Sequence, residues 1–422
     1  MANIISFKIK NFKSYKDEVE FSFRALNSDF RSENYHEVEL SNGEVIRLLN
    51  SAVIYGANAS GKSNIIWALF ALTSYVKTSR EHDPEQKLRY EPYLLSSETE
   101  KAPISLGIEF IAEGLVYLYQ ITYNAECFIF EKLTCTTNNT VLFERNKDVV
   151  SFYAALAEFS GREFLKNHLV LSKLALDANT VIQNVYKELS TIQSFPVGND
   201  IYLSKVNEKN AEQILVNNQS ILSQRLKKIV HKADLGIEDV NILKHDFSNV
   251  QFPAGVKEEA KRRFIEENTW EIKMKHLKED GSAREFGIED ESAGTRVLFG
   301  VASRILDVLE RGCFLAYDEM NIAMHPRLFH LLVKLFHDPK SNPHGAQLLI
   351  TTHDTGLLQD QLMRADQVWF AEKNSGVSEL FSVQDFYDET DGVTICPPYE
   401  AWYRSGRFGA LPHPKDIESI FS

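Results

Sequence analysis

The sequence predicts an α/β fold that carries a subdomain of antiparallel strands and a helical insertion. Three observations predict it. An apolar segment at 48–55 leads through a glycine-containing loop into a helical pattern at 64–76. Residues 104–143 hold four short segments rich in β-branched and aromatic residues. The pattern then changes to helical spacing over 151–232, before strand-like segments return.

The bulk composition is that of a globular protein. The chain has 422 residues, of which 44% are hydrophobic, enough for a packed core. Its longest apolar runs fall far short of the roughly 18 residues that cross a bilayer. The N-terminus alternates apolar residues with Lys8 and Lys10 instead of forming a secretory signal. We therefore expect a cytoplasmic protein without a membrane segment.

Cysteine usage argues against a disulfide-rich or zinc-binding protein, and the net charge argues against a strongly basic surface. The four cysteines are scattered without CxxC spacing, so reduced thiols are expected in place of disulfides or a zinc site. The formal charge of -13 argues against a surface coated with basic residues. Local basic groups at 225–228 and 261–263 leave nucleic-acid contact open, with solvated helix faces as the alternative.

The elements follow in a definite order along the chain. Period-two alternation between Ile4 and Phe23 predicts two half-buried strands joined at 11–16. The strand, loop and helix at 48–76 come next, followed by the antiparallel segments. We divide the chain into an N-terminal part with the loop and β subdomain, a helical insertion, and a C-terminal part, at 1–150, 151–235 and 236–422.

The loop after the first apolar strand fits the pattern GxxxxGK[ST]. Glycine backbones at its ends let successive N–H groups point at phosphate oxygens, and the following helix directs its positive dipole end at the same anion. Its lysine would neutralise the β and γ phosphates, and its serine hydroxyl would bind Mg²⁺. The pattern predicts ATP binding by Gly56, Ala57, Asn58, Ala59, Ser60, Gly61, Lys62 and Ser63.

Two later apolar strands end in candidate catalytic side chains. The strand at 313–317 runs into Asp318 and Glu319, as a Walker B strand does, so Asp318 is predicted to hold the metal and Glu319 to polarise the attacking water. The strand at 347–351 delivers His353 to the sheet edge where open α/β sheets bind their ligands. His353 is predicted to donate a hydrogen bond to the γ-phosphate.

A second candidate anion site precedes a helix at 297–309. Ser292 and Gly294 stand at its N-terminus, where backbone N–H groups favour an anion. The alternative is that Ser292 is only an N-cap. Its position one helix before the Walker B strand favours the anion site.

Together these motifs resemble those of the ABC-type ATPase heads of the SMC and RecF class, and within it the compact OLD- and RloA-like ATPases associated with phage defence. The shared features cover nearly the whole chain. They are Asn11-Phe12-Lys13-Ser14-Tyr15, the Walker A loop, Glu291-Ser292-Ala293-Gly294-Thr295, Asp318-Glu319 followed by His325-Pro326, and Tyr403-Arg404-Ser405-Gly406-Arg407-Phe408-Gly409-Ala410-Leu411-Pro412.

The resemblance implies an ABC-type head that binds ATP and Mg²⁺ as a homodimer or higher even oligomer. In that class each nucleotide lies between the Walker A loop of one copy and the signature of the other, so Ser292 and Gly294 would bind the γ-phosphate in trans. It also implies nucleotide contacts for Lys13 and Asn64. Gln86 and Gln120 are both candidates for the glutamine that follows Walker A in this class.

Two functions remain open. The leading one is an ATP-driven dimeric switch that regulates an effector, a nuclease or toxin, in anti-phage defence. The effector is expected to be a separate protein, because residues 366–422 show no convincing set of the clustered acids of a TOPRIM nuclease. The other is a RecF-like repair or recombination ATPase that binds DNA through the head dimer. A transporter subunit is disfavoured, since its signature lies much closer to Walker A.

Overall fold

The computed structural model describes residues 3–196, 200–233, 236–253, 255–359, 362–386 and 398–411. The chain divides into two compact units. The first comprises Met1–Val197, Leu309–Met320 and Val333–Ser422, and the second Gly198–Val308 and Asn321–Leu332.

The first unit contains two large sheets. Its strands are β1 (Asn3–Lys10), β2 (Val19–Ser22), β3 (Tyr35–Glu39), β4 (Val45–Leu49), β5 (Ser51–Tyr55), β6 (Ile104–Ala112), β7 (Leu115–Tyr123), β8 (Phe128–Cys135), β9 (Thr140–Asn146), β10 (Val149–Phe152), β11 (Gln193–Phe195), β15 (Phe314–Tyr317), β16 (Gln347–Thr351), β17 (Val368–Asn374) and β18 (Val377–Ser382). Its helices are α1 (Lys62–Thr78), α2 (Val170–Leu174), α3 (Thr180–Thr191), α9 (Gly356–Gln359) and α10 (Tyr399–Arg404).

The second unit is smaller. It contains α4 (Asp200–Val216), α5 (Ile221–Lys232) and α6 (Glu258–Asn268), with a sheet of β12 (Ile237–Lys244), β13 (Trp270–Leu277) and β14 (Ala283–Gly287). The three strands pair antiparallel in that order. Two further helices contribute residues to both units, α7 (Ala293–Arg311) and α8 (Pro326–His337).

A six-stranded sheet in the order β11-β15-β16-β5-β17-β18 forms the centre of the first unit. Its first five strands are parallel, and β18 returns antiparallel to β17. All residues of β5, β15 and β16 are buried, which explains why these segments are nearly unbroken apolar runs. The strands that precede the predicted phosphate loop, Asp318 and His353 are therefore neighbours.

A seven-stranded antiparallel sheet packs against this centre. Its order is β10-β9-β8-β7-β6-β1-β2, and it confirms both the N-terminal pair of strands and the four predicted antiparallel segments. Aromatic rings join the two sheets, with Phe21 4.7 Å from Trp369 and Phe23 5.3 Å from Phe314 between ring centroids. Contacts of this kind bury a large apolar area and hold the sheets together. Most of β1 is buried, so the expected half-buried pattern is wrong for this strand.

The single strand predicted at 48–55 is divided in the structure. β4 ends at Leu49 and pairs with β3, whereas β5 starts at Ser51 in the central sheet. Asn50 lies between them, and its side-chain amide donates to the Glu33 carbonyl at 3.1 Å while its oxygen lies 2.6 Å from the His36 ring. These polar contacts hold the chain at the point where it passes from one sheet to the other.

The predicted insertion at 151–235 differs from the unit boundaries. Residues up to Val197 belong to the first unit, because Leu171 of α2 and Val185 of α3 are buried in the main core. Buried Glu131 on β8 adds a polar contact, accepting hydrogen bonds from the backbone N–H groups of Val170 and Leu171 at 2.7 and 2.9 Å. The compact second unit instead begins at Gly198 and includes the strands after 236.

Three broader predictions can be compared with the structure. The α/β fold class with its antiparallel subdomain is confirmed. Cys127 and Cys135 are free thiols, as expected, and Cys396 lies outside the described residues. Among the helices that the structure describes, none is long and apolar enough to cross a membrane.

Candidate nucleotide-binding site

The predicted phosphate loop lies between β5 and α1, with Lys62 as the first residue of the helix. Two glycines allow this path. Gly56 and Gly61 have φ values of 150° and 110°, which residues with a side chain rarely adopt. A Cβ on Gly56 would meet the Ala371 carbonyl of β17, and one on Gly61 would lie 2.5 Å from Ser378 Oγ. The loop is therefore fitted closely against the end of the sheet.

Three polar side chains, those of Ser14, Asn64 and Ser378, form a hydrogen-bonded group that holds the loop. Ser378 Oγ on β18 donates to the Ser60 carbonyl at 2.6 Å and lies 2.7 Å from Ser14 Oγ. Ser14 Oγ in turn accepts from the Asn64 side-chain amide at 2.7 Å. These contacts tie the loop to the β1–β2 connection and to β18, and they place Asn64 as a support of the loop. A direct contact of Asn64 with nucleotide stays a prediction.

Removing the central hydroxyl is expected to weaken ATP binding several-fold. In Ser378→Ala the Ser60 carbonyl loses its donor, and a net hydrogen bond contributes about 1 kcal/mol to holding such a geometry. Equilibrium titration with a fluorescent ATP analogue measures the change. Ser382→Ala removes another buried hydroxyl from the same strand and should bind as wild type. Equal affinities for all three proteins would contradict the supporting role.

Lys62 is almost completely buried beside the loop. Its Nζ donates to the carbonyls of Gly56 and Ala57 at 2.9 and 3.0 Å, so the amine lies within the curve of the loop. Burial lowers the pKa of Lys62, and the carboxylates of Glu319 and Asp318 partly oppose that shift. A phosphate that entered the loop would replace the carbonyls as partners of a cation already in place.

The residues predicted to hold Mg²⁺ are in contact. Asp318 follows β15, is 1% exposed, and its Oδ1 accepts from Ser63 Oγ at 3.1 Å and from Thr351 Oγ1. Mg²⁺ in nucleotide sites takes one or two protein oxygens, with water and phosphate oxygens completing its octahedron. One carboxylate and one hydroxyl at this spacing fit that donor set. The described residues contain no cluster of three or more His, Cys, Asp or Glu side chains that suits another metal.

Glu319 and His353 face each other beside this pair. Glu319 adopts a left-handed φ of 48°, and its N–H donates to Thr351 Oγ1 at 2.9 Å. Its carboxylate lies 3.8 Å from His353 Nε2, and both side chains are partly exposed. Burial, and then the charge of Lys62, lower the pKa of His353, so its ring is neutral at pH 7. A neutral imidazole can still donate one hydrogen bond.

An 860 Å³ cavity opens over the first five residues of the loop. His353 and Thr355 line one side of it, and the end of β17 lines another. The C-terminal segment completes the wall with Tyr403, Arg404, Ala410 and Leu411. The resemblance drew attention to this segment, but no role was predicted for it.

The remaining nucleotide contacts predicted in the first unit lie elsewhere. Lys13 pairs with the Glu91 carboxylate at 3.6 Å and lies 4.9 Å from the centre of the Trp67 ring. Gln86 is exposed, and Gln120 is in β7. Neither they nor Lys13 are among the described residues lining the cavity. Their roles stay predictions.

Ser292 caps α7 in the second unit. Its Oγ accepts from the Thr295 N–H at 3.1 Å, as an N-cap side chain does. A Cβ on Gly294 would come within 2.7 Å of the Ala323 carbonyl, so only glycine fits there. The N-cap alternative is thus present in the structure, and the anion-binding role of Ser292 and Gly294 stays a prediction.

Comparisons with known proteins show the family of the chain. A family model described as "AAA domain, putative AbiEii toxin, Type IV TA system" matches residues 51–359, from the strand before the loop to beyond His353. No curated protein matches the chain.

Solved structures include two SMC heads. One, an SMC head bound to the C-winged helix domain of ScpA, is 15% identical over 90% of this chain and 98% of that one, with a TM-score of 0.47. The other, the SMC head domain from Thermotoga maritima, is 13% identical over the same shares, with a TM-score of 0.41.

The topology and the family match agree on the fold. Strands that carry Walker A, Walker B and the histidine lie side by side, next to an antiparallel sheet, as expected for an ABC-type ATPase head. The family model covers well over half of the chain. The chain therefore belongs to the AAA-domain family described as "putative AbiEii toxin, Type IV TA system".

Proposed function

We propose that this protein binds and hydrolyses ATP with Mg²⁺, and that two copies share each nucleotide. One observation carries the ATPase proposal: the central sheet brings Lys62, Ser63, Asp318, Glu319 and His353 to one edge. These residues come from three strand ends that are distant in sequence. Each has the chemistry that one part of ATP hydrolysis needs.

The chain's own residues divide the reaction among them. Lys62 binds the β and γ phosphates, and Ser63 with Asp318 would hold Mg²⁺, which supplies positive charge to the phosphate oxygens. Glu319 accepts a proton from the water whose oxygen attacks the γ-phosphorus as the bond to the β–γ bridging oxygen breaks. His353 donates a hydrogen bond to the γ-phosphate.

The second half of each site is proposed to come from another copy of the chain. Ser292 and Gly294 stand at the N-terminus of a 19-residue helix, where N–H groups and the helix dipole favour an anion. Ser292 is exposed in the isolated chain, so a second copy can reach it. ATP would join the copies into a homodimer or higher even oligomer, and hydrolysis would release them.

We further propose that the dimer is a cytoplasmic switch that regulates a separate effector, a nuclease or toxin, in anti-phage defence. The family description, which names a toxin and a toxin–antitoxin system, supports this class of role. The resemblance to OLD- and RloA-like ATPases points the same way.

The RecF-like alternative would need basic surface for DNA. Each of the two basic groups has a lysine beside an acid: Lys227 lies 3.4 Å from Asp239, and Lys261 lies 2.6 Å from Glu258. These pairs favour the solvated-face interpretation of both helices.

Mixing two inactive variants tests the shared site. Lys62→Ala removes the Walker A cation, and Ser292→Arg blocks the signature. When equal amounts are mixed, about half of the dimers contain one copy of each variant. Each such dimer has one intact site out of two, so hydrolysis should recover to about a quarter of the wild-type rate. Phosphate release measures it.

Ser292→Ala distinguishes the loss of the N-cap hydrogen bond from the steric block that Ser292→Arg introduces. It loses the N-cap bond, worth about 1 kcal/mol, without adding bulk, so its melting temperature shows what the cap alone contributes. A mixture no more active than its two components, with both variants folded, would contradict a site built from two copies.

A further inference from the structure

The C-terminal segment 398–411 is attached to the strands that flank the phosphate loop. Tyr403 stacks on Phe370 of β17 at 5.1 Å and lies 5.9 Å from Tyr55, the residue before Gly56. Phe408 also stacks on Phe370, with 5.2 Å between the ring centroids. Both aromatic side chains are buried. The segment is therefore held beside the loop by a packed aromatic cluster.

A polar contact fixes the turn that follows α10. The Ala410 N–H donates to Glu372 Oε1 at 3.0 Å, and the Tyr403 hydroxyl donates to the Ala410 carbonyl at 3.3 Å. Glu372 belongs to β17, next to the strand that precedes the loop. The segment is thus joined to the site by its backbone as well as by its rings.

Arg404 is the cation that this segment presents to the cavity. Its side chain is 66% exposed, and Nη2 lies 2.7 Å from the Glu400 carboxylate and 3.2 Å from Thr355 Oγ1. Thr355 is two residues after His353, and both line the same cavity as Arg404 and the loop. A guanidinium has five N–H donors, so two existing partners leave others for a ligand.

Charge and preorganisation favour a phosphate as that ligand. The loop itself contributes one cation, Lys62, whereas a triphosphate carries several negative charges. Lys373 also lines the cavity, but Arg404 has the planar fork that matches phosphate oxygens and is already oriented by Glu400 and Thr355. Orienting a long side chain before binding lowers the entropy lost when the ligand arrives.

We propose that Arg404 binds the polyphosphate of the nucleotide, so that the C-terminal segment is part of the ATP site. This inference rests on the proposed ATP binding at Gly56–Ser63. It assigns a function to a segment that lies far from Walker A in sequence. It also couples the position of that segment to nucleotide occupancy, through the aromatic cluster of Tyr403 and Phe370.

The test compares two arginines of the same segment. Arg404→Ala and Arg407→Ala each remove one exposed guanidinium, but Arg407 lies 4.0 Å from the Trp402 ring and does not line the cavity. The full chain is titrated with a non-hydrolysable ATP analogue, with ADP and with AMP. Losing a charge-assisted hydrogen bond should weaken the triphosphate about tenfold or more, and AMP little. Arg407→Ala should match wild type.

Two outcomes would overturn the inference. One is an unchanged triphosphate affinity in Arg404→Ala; the other is an equal loss for the triphosphate and AMP, which would place the contact on the nucleoside. Arg404→Lys should recover part of the affinity by restoring the charge. If Arg404→Ala fails to fold, Arg404→Gln keeps the side-chain stem and carries the same expectation.

Lys62→Ala distinguishes this inference from the proposed function. If Lys62→Ala binds the triphosphate normally, the ATP site itself is misassigned. If Lys62→Ala loses binding and folded Arg404→Ala does not, only the role of Arg404 is wrong.

Discussion

Lys62→Ala is expected to abolish ATP binding, with affinity falling by about 100-fold or more. The amine is buried within the loop, and charged hydrogen bonds of this kind contribute about 1.5–3 kcal/mol each. Among the described residues, the cations that line the cavity are Lys373 and Arg404, and both come from outside the loop, so neither takes the position of the Lys62 amine. Calorimetric titration with ATP and Mg²⁺ measures the loss.

A second lysine of the same helix provides the control. Lys77 lies near the end of α1, and its Nζ donates to the Ile192 carbonyl at 2.9 Å. Lys77→Ala therefore removes a partly buried amine from the same helix without touching the loop, and ATP affinity should be retained. If both variants lost affinity equally, helix stability would explain the effect and the phosphate role of Lys62 would be wrong.

The site was predictable from sequence where its geometry is local. A strand, a glycine loop and a helix specify the phosphate loop within a few residues, and parallel strands end at one sheet edge. That is why Ser63 and Asp318 meet although 255 residues separate them. The backbone brings the two residues together, so even a short serine side chain contacts the aspartate.

The support below the loop was not predictable in the same way. Ser14 and Ser378 are 364 residues apart, and a lone serine in a strand or turn has no pattern that marks its partner. Ser14 belongs to a segment of the family resemblance, but the resemblance implies a nucleotide contact for the neighbouring Lys13 and no role for Ser14. The register between β18 and the β1–β2 connection, which sequence periodicity does not contain, decides which side chain faces the loop.

Two larger features were missed for a related reason. Helical spacing over 151–232 predicted a helical insertion, but periodicity does not say which core a helix packs into, and Leu171 and Val185 pack into the first unit. Likewise, the family resemblance includes Tyr403 and Phe408, but only the structure shows that they pack beside Phe370 and Tyr55. Both depend on contacts between segments far apart in sequence.

Glu319→Gln is expected to lower ATP hydrolysis by about 100-fold or more while ATP binding persists. The amide has nearly the same shape as the carboxylate but cannot accept the proton from the attacking water, and such a base contributes roughly 10²–10⁴-fold. The backbone of Glu319 is held by Thr351, so the substitution should leave its position unchanged. Phosphate release and calorimetric titration separate the two effects.

The same variant should accumulate as an ATP-bound dimer, because the release step depends on hydrolysis in the proposed cycle. Light scattering coupled to size-exclusion chromatography, with saturating ATP and Mg²⁺, measures the mass. Glu379→Gln changes an exposed carboxylate on β18 to the same amide and should hydrolyse ATP and run as wild type does. A Glu319→Gln protein that binds ATP yet remains monomeric would sink the shared site, since nothing but the missing proton acceptor separates it from the wild type.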